Sequence, residues 1–261
     1  MAKSKRALVR MPDAIRIVAL QGQHKAVQPR AEDVPVAAAT RLTYRNGPLI
    51  EAVEVFTIFW GAAWKADPQS GLIARLNAFF DEILTSPLID QLSEYNAGSH
   101  KIAHGRRTGT TTIATGLRGT SVTDTAIQAF LTQQIGKKGV PKVSVNTLYF
   151  IYLPPGIRVV MGGSASCQAF CGYHNDIGGK TFYAVMPYPG CTGCTGGLAV
   201  FDALTSTSSH ELCEAITDPV PGSGWYDDTN GEIGDICAWQ TRTIGKYLVQ
   251  LEWSNKAGAC I

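Results

Sequence analysis

The chain has 261 residues, which suits one large domain or two small ones, and 45% of them are hydrophobic, enough to form a core. Lys and Arg number 23 against 21 for Asp and Glu, so the formal net charge is only +2. The sequence has no block of basic residues and no stripe of basic and aromatic residues that would indicate nucleic-acid binding. The sequence also lacks a run of about 18 apolar residues, so we expect no transmembrane segment.

Residues 1–42 have mixed polarity and several charges, and we interpret them as an N-terminal arm or pro-segment. The first residues are basic, but Asp13, Arg16 and Gln21 interrupt the apolar stretch that follows, which is not the pattern of a secretory signal. Residues 43–261 are predicted to form a single domain.

The hydrophobic pattern of the chain predicts strands that alternate with helices. Short apolar runs rich in β-branched residues indicate strands, and apolar residues at helical spacing indicate helices. The predicted strands are 14–20, 53–60, 148–153, 181–186 and 246–253, and the predicted helices are 69–84, 88–95 and 125–135. The polar, Gly- and Thr-rich stretch 98–119 is predicted to be a loop or an exposed hairpin, with His100 and His104 on its surface. This order predicts an α/β (α+β) domain with a zincin-like mixed sheet and packed helices.

The motif His-Glu-x-x-Glu at His210, Glu211 and Glu214 carries the main functional signal. Residues four apart lie on one face of a helix, so His210 and Glu214 would point the same way. In a zincin site, two such residues bind a metal ion and the intervening Glu acts as general base on its water. The alternative is a capping box, in which Ser208 begins the helix and Glu211 caps it. Asp202 is another possible N-cap, and it would place His210 in the middle of a helix.

A metal site with two ligands on a helix needs a third ligand from elsewhere. The Gly-rich stretch after the helix offers Glu232 and Asp235 as candidates. Two alternatives concern the same stretch. The oxygen-bearing side chains of Asp227, Asp228, Asn230 and Glu232 could form a calcium-stabilised loop. The aromatic side chains of Trp225, Tyr226 and Trp239 could stack on sugars.

All seven cysteines lie in the C-terminal half of the chain. Their spacing is explained by disulfides in an oxidising compartment or by a structural zinc ion held by the two closely spaced pairs. We favour disulfides and a loop-rich C-terminal half. Proximity along the sequence predicts the pairs Cys167–Cys171, Cys191–Cys194 and Cys237–Cys260, with Cys213 free and buried in the helix.

Several motifs occur in the order found in one family. They are Thr43-Tyr44-Arg45-Asn46-Gly47-Pro48-Leu49, Phe59-Trp60-Gly61, Cys171-Gly172-Tyr173-His174, Cys191-x-x-Cys194, His210-Glu211-x-x-Glu214-Ala215 and Glu232-Ile233-Gly234-Asp235-x-Cys237. Residues 43–261 thus resemble the Exordium-like, phosphate-induced protein family and its microbial relatives. The resemblance implies a secreted or wall-associated protein whose helix motif is similar to a zincin protease site.

Carried over to this chain, the resemblance implies that His210 and Glu214 bind the metal, Glu211 is the general base, and Asp235 or Glu232 completes the site. His174 would donate to an oxyanion or bind substrate. We therefore expect a zinc-dependent peptidase acting on a peptide or protein. The ligand set is rich in carboxylates, so Mn²⁺ or Ca²⁺ is also conceivable. The alternative is an inactive secreted module for binding or signalling, associated with carbohydrate or the cell wall.

Overall fold

The computed structural model describes residues 17–22, 40–137 and 139–261. Most of the predicted N-terminal arm, residues 1–42, lies outside these ranges. The part of the arm that is described includes a short strand at Ile17–Ala19, which confirms the strand predicted there.

The described residues form five α-helices and fifteen short or medium strands. The helices are α1 (Gln69–Ile83), α2 (Pro87–Leu92), α3 (Asp124–Gln134), α4 (Thr192–Thr195) and α5 (Val200–Thr217). The strands are β1 (Ile17–Ala19), β2 (Thr43–Tyr44), β3 (Ala52–Trp60), β4 (Ala103–Ile113), β5 (Ser121–Thr123), β6 (Thr147–Tyr152), β7 (Arg158–Met161), β8 (Ser164–Ala165), β9 (Phe170–Ile177), β10 (Thr181–Met186), β11 (Trp225–Tyr226), β12 (Thr241–Ile244), β13 (Tyr247–Gln250), β14 (Trp253–Ser254) and β15 (Ala259–Cys260).

A mixed six-stranded sheet with the order β1-β9-β10-β6-β3-β4 organises the fold. Strands β10, β6, β3 and β4 run parallel to one another, whereas β9 is antiparallel to β10 and β1 is antiparallel to β9. The predicted class, a mixed sheet with packed helices, is confirmed.

Both faces of the sheet are buried, because side chains of the central strands alternate between two cores. In β3, Val55 and Phe59 enter one core, whereas Phe56 and Ile58 enter the other. Helices α1, α2 and α5 cover the first face, and α3 covers the second. Parallel strands buried on both sides require such continuous apolar runs, which explains why β3, β6 and β10 were predicted from the sequence.

Helix α5 lies inside the molecule, and sixteen of its residues, from Phe201 to Thr217 except Asp202, are buried. It packs between β9 and β10 on one side and β13 on the other. Its buried hydroxyl groups are satisfied locally or by neighbours. Ser209 Oγ, for example, donates to Ser206 O at 2.8 Å and accepts from Gln250 N at 2.9 Å. A polar helix can therefore be buried at this position without leaving its hydroxyl groups unpaired.

The prediction that residues 98–119 form a loop or hairpin is wrong. Residues Ala103–Ile113 form β4, an edge strand parallel to β3. The outer edge of the sheet faces solvent, so a strand there keeps polar side chains, and threonine has a high strand propensity. Of the two predicted surface histidines, His104 pairs with Asp90 on the surface, and His100, which is partly buried, pairs with Glu51.

Three disulfides occur in the C-terminal half, but two of the predicted pairs are wrong. Cys167 bonds to Cys191, Cys171 bonds to Cys194, and Cys237 bonds to Cys260 as predicted. The first two bonds join the segment around β9 to the segment around α4. Within the described residues Cys213 is the free cysteine, and it is buried in α5. The alternative of a zinc ion held by the two closely spaced cysteine pairs is therefore excluded, because a cysteine in a disulfide has no thiolate with which to bind a metal ion. Among the described helices, none is long and apolar enough to cross a membrane.

Candidate metal centre

The three motif residues His210, Glu211 and Glu214 lie within α5 and have no solvent-exposed surface. The helix begins at Val200, so Ser208 cannot be an N-cap and the capping-box alternative is wrong. The predicted start at Asp202 is also wrong, since that residue lies in the first turn. Ser208 Oγ instead lies 2.8 Å from the hydroxyl of Tyr152 on β6. The motif therefore lies in the C-terminal half of the helix, where His210 and Glu214 can face one site.

One group of potential ligands joins α5 to the loop that precedes β12. His210 Nε2 lies 2.8 Å from Glu214 Oε1 and 3.9 Å from Asp235 Oδ1. One nitrogen or oxygen from each of these three residues lies within 4.8 Å of the others. The amide of Asp235 donates to Glu214 Oε1 at 3.1 Å, which fixes the loop against the helix. The structure thus brings together the two helix ligands and one of the two predicted third ligands.

A second group joins α5 to β9. His174 Nδ1 lies 3.1 Å from Glu211 Oε2 and 3.5 Å from Glu214 Oε2. His174, Glu211 and Glu214 also offer donor atoms that all lie within 4.8 Å of one another. The strand and the helix approach closely at Gly172, where a Cβ would lie 2.6 Å from Thr207 Cγ2. A glycine two residues before His174 is therefore required for that ring to reach the motif.

Glu232, the other predicted third ligand, lies on the opposite side of the His174 ring. Its Oε1 is 3.5 Å from His174 Nε2, and its side chain is buried. The same nitrogen lies 3.2 Å from the carbonyl oxygen of Asp218. Both ring nitrogens of His174 consequently face groups within the cluster.

Two buried carboxylates near the centre were not predicted. Asp218 ends α5, and its side chain accepts hydrogen bonds from the amides of Gly222, Ser223 and Gly224. Glu252 is buried after β13, close enough to His210 and Glu214 for their charges to act on its pKa. The Asp-Pro pair after the helix indicates only a helix end, and Glu252 lies in a predicted strand, so neither carried a functional signal.

The cluster concentrates acidic groups away from water, which shifts their proton affinities. Burial raises the pKa of Glu211, Glu232 and Asp235, and the negative charge of Glu214 raises it further. Burial alone would lower the pKa of His174, but its hydrogen bond to Glu211, the close approach of Glu214 and the charges of both carboxylates raise it to about 10. Burial would raise the pKa of Glu214, but the charge of His210 and the close approach of both histidines lower it to about 2. Without a metal ion, the centre therefore retains protons at neutral pH.

Several polar atoms of the cluster have no hydrogen-bond partner among the described residues. These atoms are both ring nitrogens of His210, Glu211 Oε1, Glu214 Oε2 and both carboxylate oxygens of Glu232. His210 Nε2 is close to Glu214 but is not aligned for a hydrogen bond. Buried polar groups are rarely left unpaired in native proteins, and a cation bound beside His210 Nε2 or Glu214 Oε2 would satisfy that atom.

The aromatic residues proposed to stack on sugars make internal contacts. Trp225 Nε1 donates to Tyr95 O at 2.7 Å, Tyr226 is buried, and Trp239 Nε1 donates to Ala19 O at 3.0 Å. These contacts give the three rings a structural role.

The turn proposed to bind calcium is likewise held by internal contacts. Asp227 accepts hydrogen bonds from the amides of Thr229 and Asn230, and Asp228 pairs with Arg45. Glu232 faces His174 inside the centre. The carboxylates of Asp227 and Asp228 therefore already have partners within the protein.

Comparison with known proteins finds no matching family model, no similar curated protein and no similar solved structure. The resemblance to the Exordium-like family therefore stays a prediction based on the order of short motifs.

Proposed function

We propose that the chain is a metal-dependent hydrolase, most simply a zinc peptidase, whose metal ion is held by His210, Glu214 and Asp235. The observation that carries the proposal is the convergence of these donors, from one helix and one loop, within 4.8 Å of one another. Glu211, the residue expected to act as base, lies beside them on the same helix.

The residues present fit a transition-metal ion. Imidazole and carboxylate donors suit zinc, and this carboxylate-rich set also suits Mn²⁺. A cation bound here would pair with His210 Nε2, a buried nitrogen without a hydrogen-bond partner among the described residues. The amide of Asp235 and the packing of Gly234 against the His210 ring hold the ligands in place.

When bound, zinc lowers the pKa of a water molecule to about 7 and polarises a substrate carbonyl group. The residues of the chain then move the proton. Glu211 Oε2 is held by His174, whereas Oε1 has no hydrogen-bond partner among the described residues and is available to accept a proton. His174 acts as a positioning residue, because it fixes the carboxylate in one orientation.

Access to this centre requires movement. The side chains of His174, His210, Glu211, Glu214 and Glu232 are fully buried. The segment 231–235 lies directly against the ring of His210 and the carboxylate of Glu214. A peptide therefore reaches the site only when this segment is displaced, as happens for the lids of many enzymes.

The same burial favours a second candidate, an inactive secreted module for binding or signalling. Structural metal sites are closed, whereas catalytic sites keep an open position. In this candidate the ion only links α5 to the loop after β11, and the residues do no chemistry. The three disulfides favour an extracellular or wall-associated location for either candidate.

Cleavage of a peptide library by the zinc-loaded wild type and by Glu211→Gln separates the two candidates. The hydrolase proposal expects cleavage by the wild type and a decrease of about 10²–10⁴-fold in cleavage rate in the variant, which should stay folded and keep the zinc ion held by His210, Glu214 and Asp235. Glu51→Gln is the matched control, because the side chain of this glutamate is 46% exposed, pairs with His100 and belongs to neither ligand group. Equal cleavage by the wild type and Glu211→Gln would exclude the base role. No cleavage by the zinc-loaded wild type would favour the module.

A further inference from the structure

The two oxygens of Glu214 face two different groups of ligands. Oε1 lies 2.8 Å from His210 Nε2, on the side of Asp235. Oε2 lies 3.5 Å from His174 Nδ1, on the side of Glu211. Each group contains one histidine and two carboxylates, and Glu214 is the one member that they share. A carboxylate placed between two such groups is the arrangement that bridges paired metal ions in two-metal hydrolases.

The distances between donor atoms in the second group suit a metal ion just as the distances in the first group do. Bonds of 2.0–2.1 Å in a tetrahedral site place neighbouring donors about 3.3 Å apart. In the second group, His174 Nδ1 is 3.1 Å from Glu211 Oε2 and 3.5 Å from Glu214 Oε2. In the first group, His210 Nε2 is 2.8 Å and 3.9 Å from its two partners. Small movements of these side chains would bring the donor atoms of either group to the distances that a tetrahedral site requires.

The charge of the cluster favours two cations over one. The four buried carboxylates Glu211, Glu214, Glu232 and Asp235 carry four negative charges when ionised. One divalent cation offsets two of these charges, and two divalent cations offset all four. Uncompensated charges in a water-free interior cost several kcal/mol each, so a second cation would remove a large penalty.

Unpaired atoms in the second group give independent support. Glu214 Oε2, the oxygen that faces His174, has no hydrogen-bond partner among the described residues, and its side chain is fully buried. Glu214 belongs to the same group as His174, which lies on another element of the fold. The group is therefore more than a row of acidic residues on a helix.

We propose that the centre binds two divalent transition-metal ions, the second held by His174 and Glu211 and bridged to the first by Glu214. This inference deepens the proposed function and rests on it. Glu211 would bind the second ion through Oε2, the oxygen that faces His174, and would keep Oε1 for the proton. With the second ion bound, His174 Nδ1 would be a metal ligand in place of its hydrogen bond to Glu211, and Nε2 would face the carbonyl oxygen of Asp218.

The test measures metal stoichiometry and the distance between ions. The full chain is stripped with a chelator, loaded with Zn²⁺ or Mn²⁺ and freed of excess ion. Metal content is then determined, and the Mn²⁺ form is examined by electron paramagnetic resonance. We expect two equivalents in the wild type and one in either His174→Ala or Asp235→Asn. The Mn²⁺ ions should be magnetically coupled in the wild type and isolated in both variants. His104→Ala, which changes a surface histidine, should retain two equivalents.

The outcomes separate this inference from the proposed function. No bound metal in the wild type overturns both. One equivalent in the wild type that persists in His174→Ala overturns only the second ion. Two equivalents with uncoupled Mn²⁺ signals overturn the bridge by Glu214. If His174→Ala fails to fold, His174→Gln and the wild-type spectrum decide the question.

Discussion

Gly234 packs against the ring of His210 with no room for a side chain. A Cβ atom at this position would lie 2.8 Å from His210 Nδ1 and 3.0 Å from Glu214 Oε1. The φ of Gly234 is −80°, a value open to any residue, so space alone imposes the glycine. The glycine lets the loop approach the helix closely enough for Asp235 to join His210 and Glu214.

The first prediction follows from this contact. Gly234→Ala should push the loop away from α5, destabilise the protein by about 1–3 kcal/mol through overpacking and weaken metal binding. Gly71→Ala is the control, since this glycine lies in α1 with nothing among the described residues within 4 Å of an added Cβ. It should stabilise the protein by about 0.5–1 kcal/mol. Denaturant unfolding and zinc titration of both variants test the difference. Wild-type zinc affinity in Gly234→Ala would show that the loop position does not control the centre.

The second prediction concerns the disulfides. Mass spectrometry of unreduced peptides should find Cys167 linked to Cys191, Cys171 linked to Cys194, and Cys237 linked to Cys260. Thiol counting in denaturant without reductant should find one group, Cys213. The bond between Cys237 and Cys260 closes a loop with a sequence separation of 23, so its loss should destabilise the protein by about 3 kcal/mol. Peptides that join Cys167 to Cys171 would contradict the packing of β9 against α4.

The third prediction concerns protons released by the centre. A pKa of about 10 keeps a proton on His174 at neutral pH in the metal-free protein, and burial raises the pKa of Glu232 and of Asp235, so that these carboxyl groups also bind protons more tightly than they do in water. Because ligands must lose protons to bind a cation, zinc binding should release protons, and its apparent affinity should rise with pH. Calorimetry in buffers with different ionisation enthalpies measures the number released. A binding heat independent of the buffer would show that the donors are already deprotonated.

The same shift at His174 has a consequence for the stability of the metal-free protein. A histidine with a pKa raised from 6.5 to about 10 binds its proton more tightly in the folded state. This contribution to the free energy of unfolding is fully present below about pH 6.5 and is lost as the pH rises through 10. Chelator-treated protein should therefore lose stability between these values, whereas zinc-loaded protein should gain stability relative to it.

The sequence allowed the helix motif to be located, because a spacing of four residues places His210 and Glu214 on one face whatever the rest of the fold. It did not determine how distant segments meet. His174 comes from an interior strand, and its contact with Glu211 depends on the packing of β9 against α5. The disulfides show the same limit, since connectivity cannot be deduced from cysteine spacing.

Solvent exposure was equally difficult to predict from the sequence. The Thr-rich β4 has the composition of a loop, and only its place at the sheet edge explains its polar residues. Glu252 shows the opposite case, a charged residue buried beside the centre. Sequence pattern predicts the type of an element better than its environment, which depends on its neighbours in the fold.

The last prediction concerns Asp218, whose buried carboxylate connects the end of α5 to the segment that follows it. Its oxygens accept hydrogen bonds from the amides of Gly222, Ser223 and Gly224, at distances between 2.5 and 3.0 Å. Asp218→Ala removes the acceptor and leaves the buried amides of Gly222 and Gly224 without it, whereas Ser223 N keeps its hydrogen bond to Val220 O. We expect a destabilisation of about 1–3 kcal/mol at pH 7 and weaker zinc binding, since the Asp218 carbonyl also lies 3.2 Å from His174 Nε2.

The pH dependence of this variant gives a sharper test. Burial outweighs the amide hydrogen bonds and raises the pKa of Asp218 from 3.8 to about 6. The folded state therefore binds this proton more tightly, so the contribution of Asp218 to stability is fully present below pH 3.8 and decreases as the pH rises through 6. Urea unfolding of the metal-free proteins should show a larger deficit for Asp218→Ala at about pH 4 than at about pH 7. Asp228→Ala is the control, because the side chain of Asp228 is 79% exposed, and its deficit should be below about 1 kcal/mol at both pH values. A deficit for Asp218→Ala that grows with pH would show that Asp218 is stabilised as the ionised carboxylate, contrary to its raised pKa.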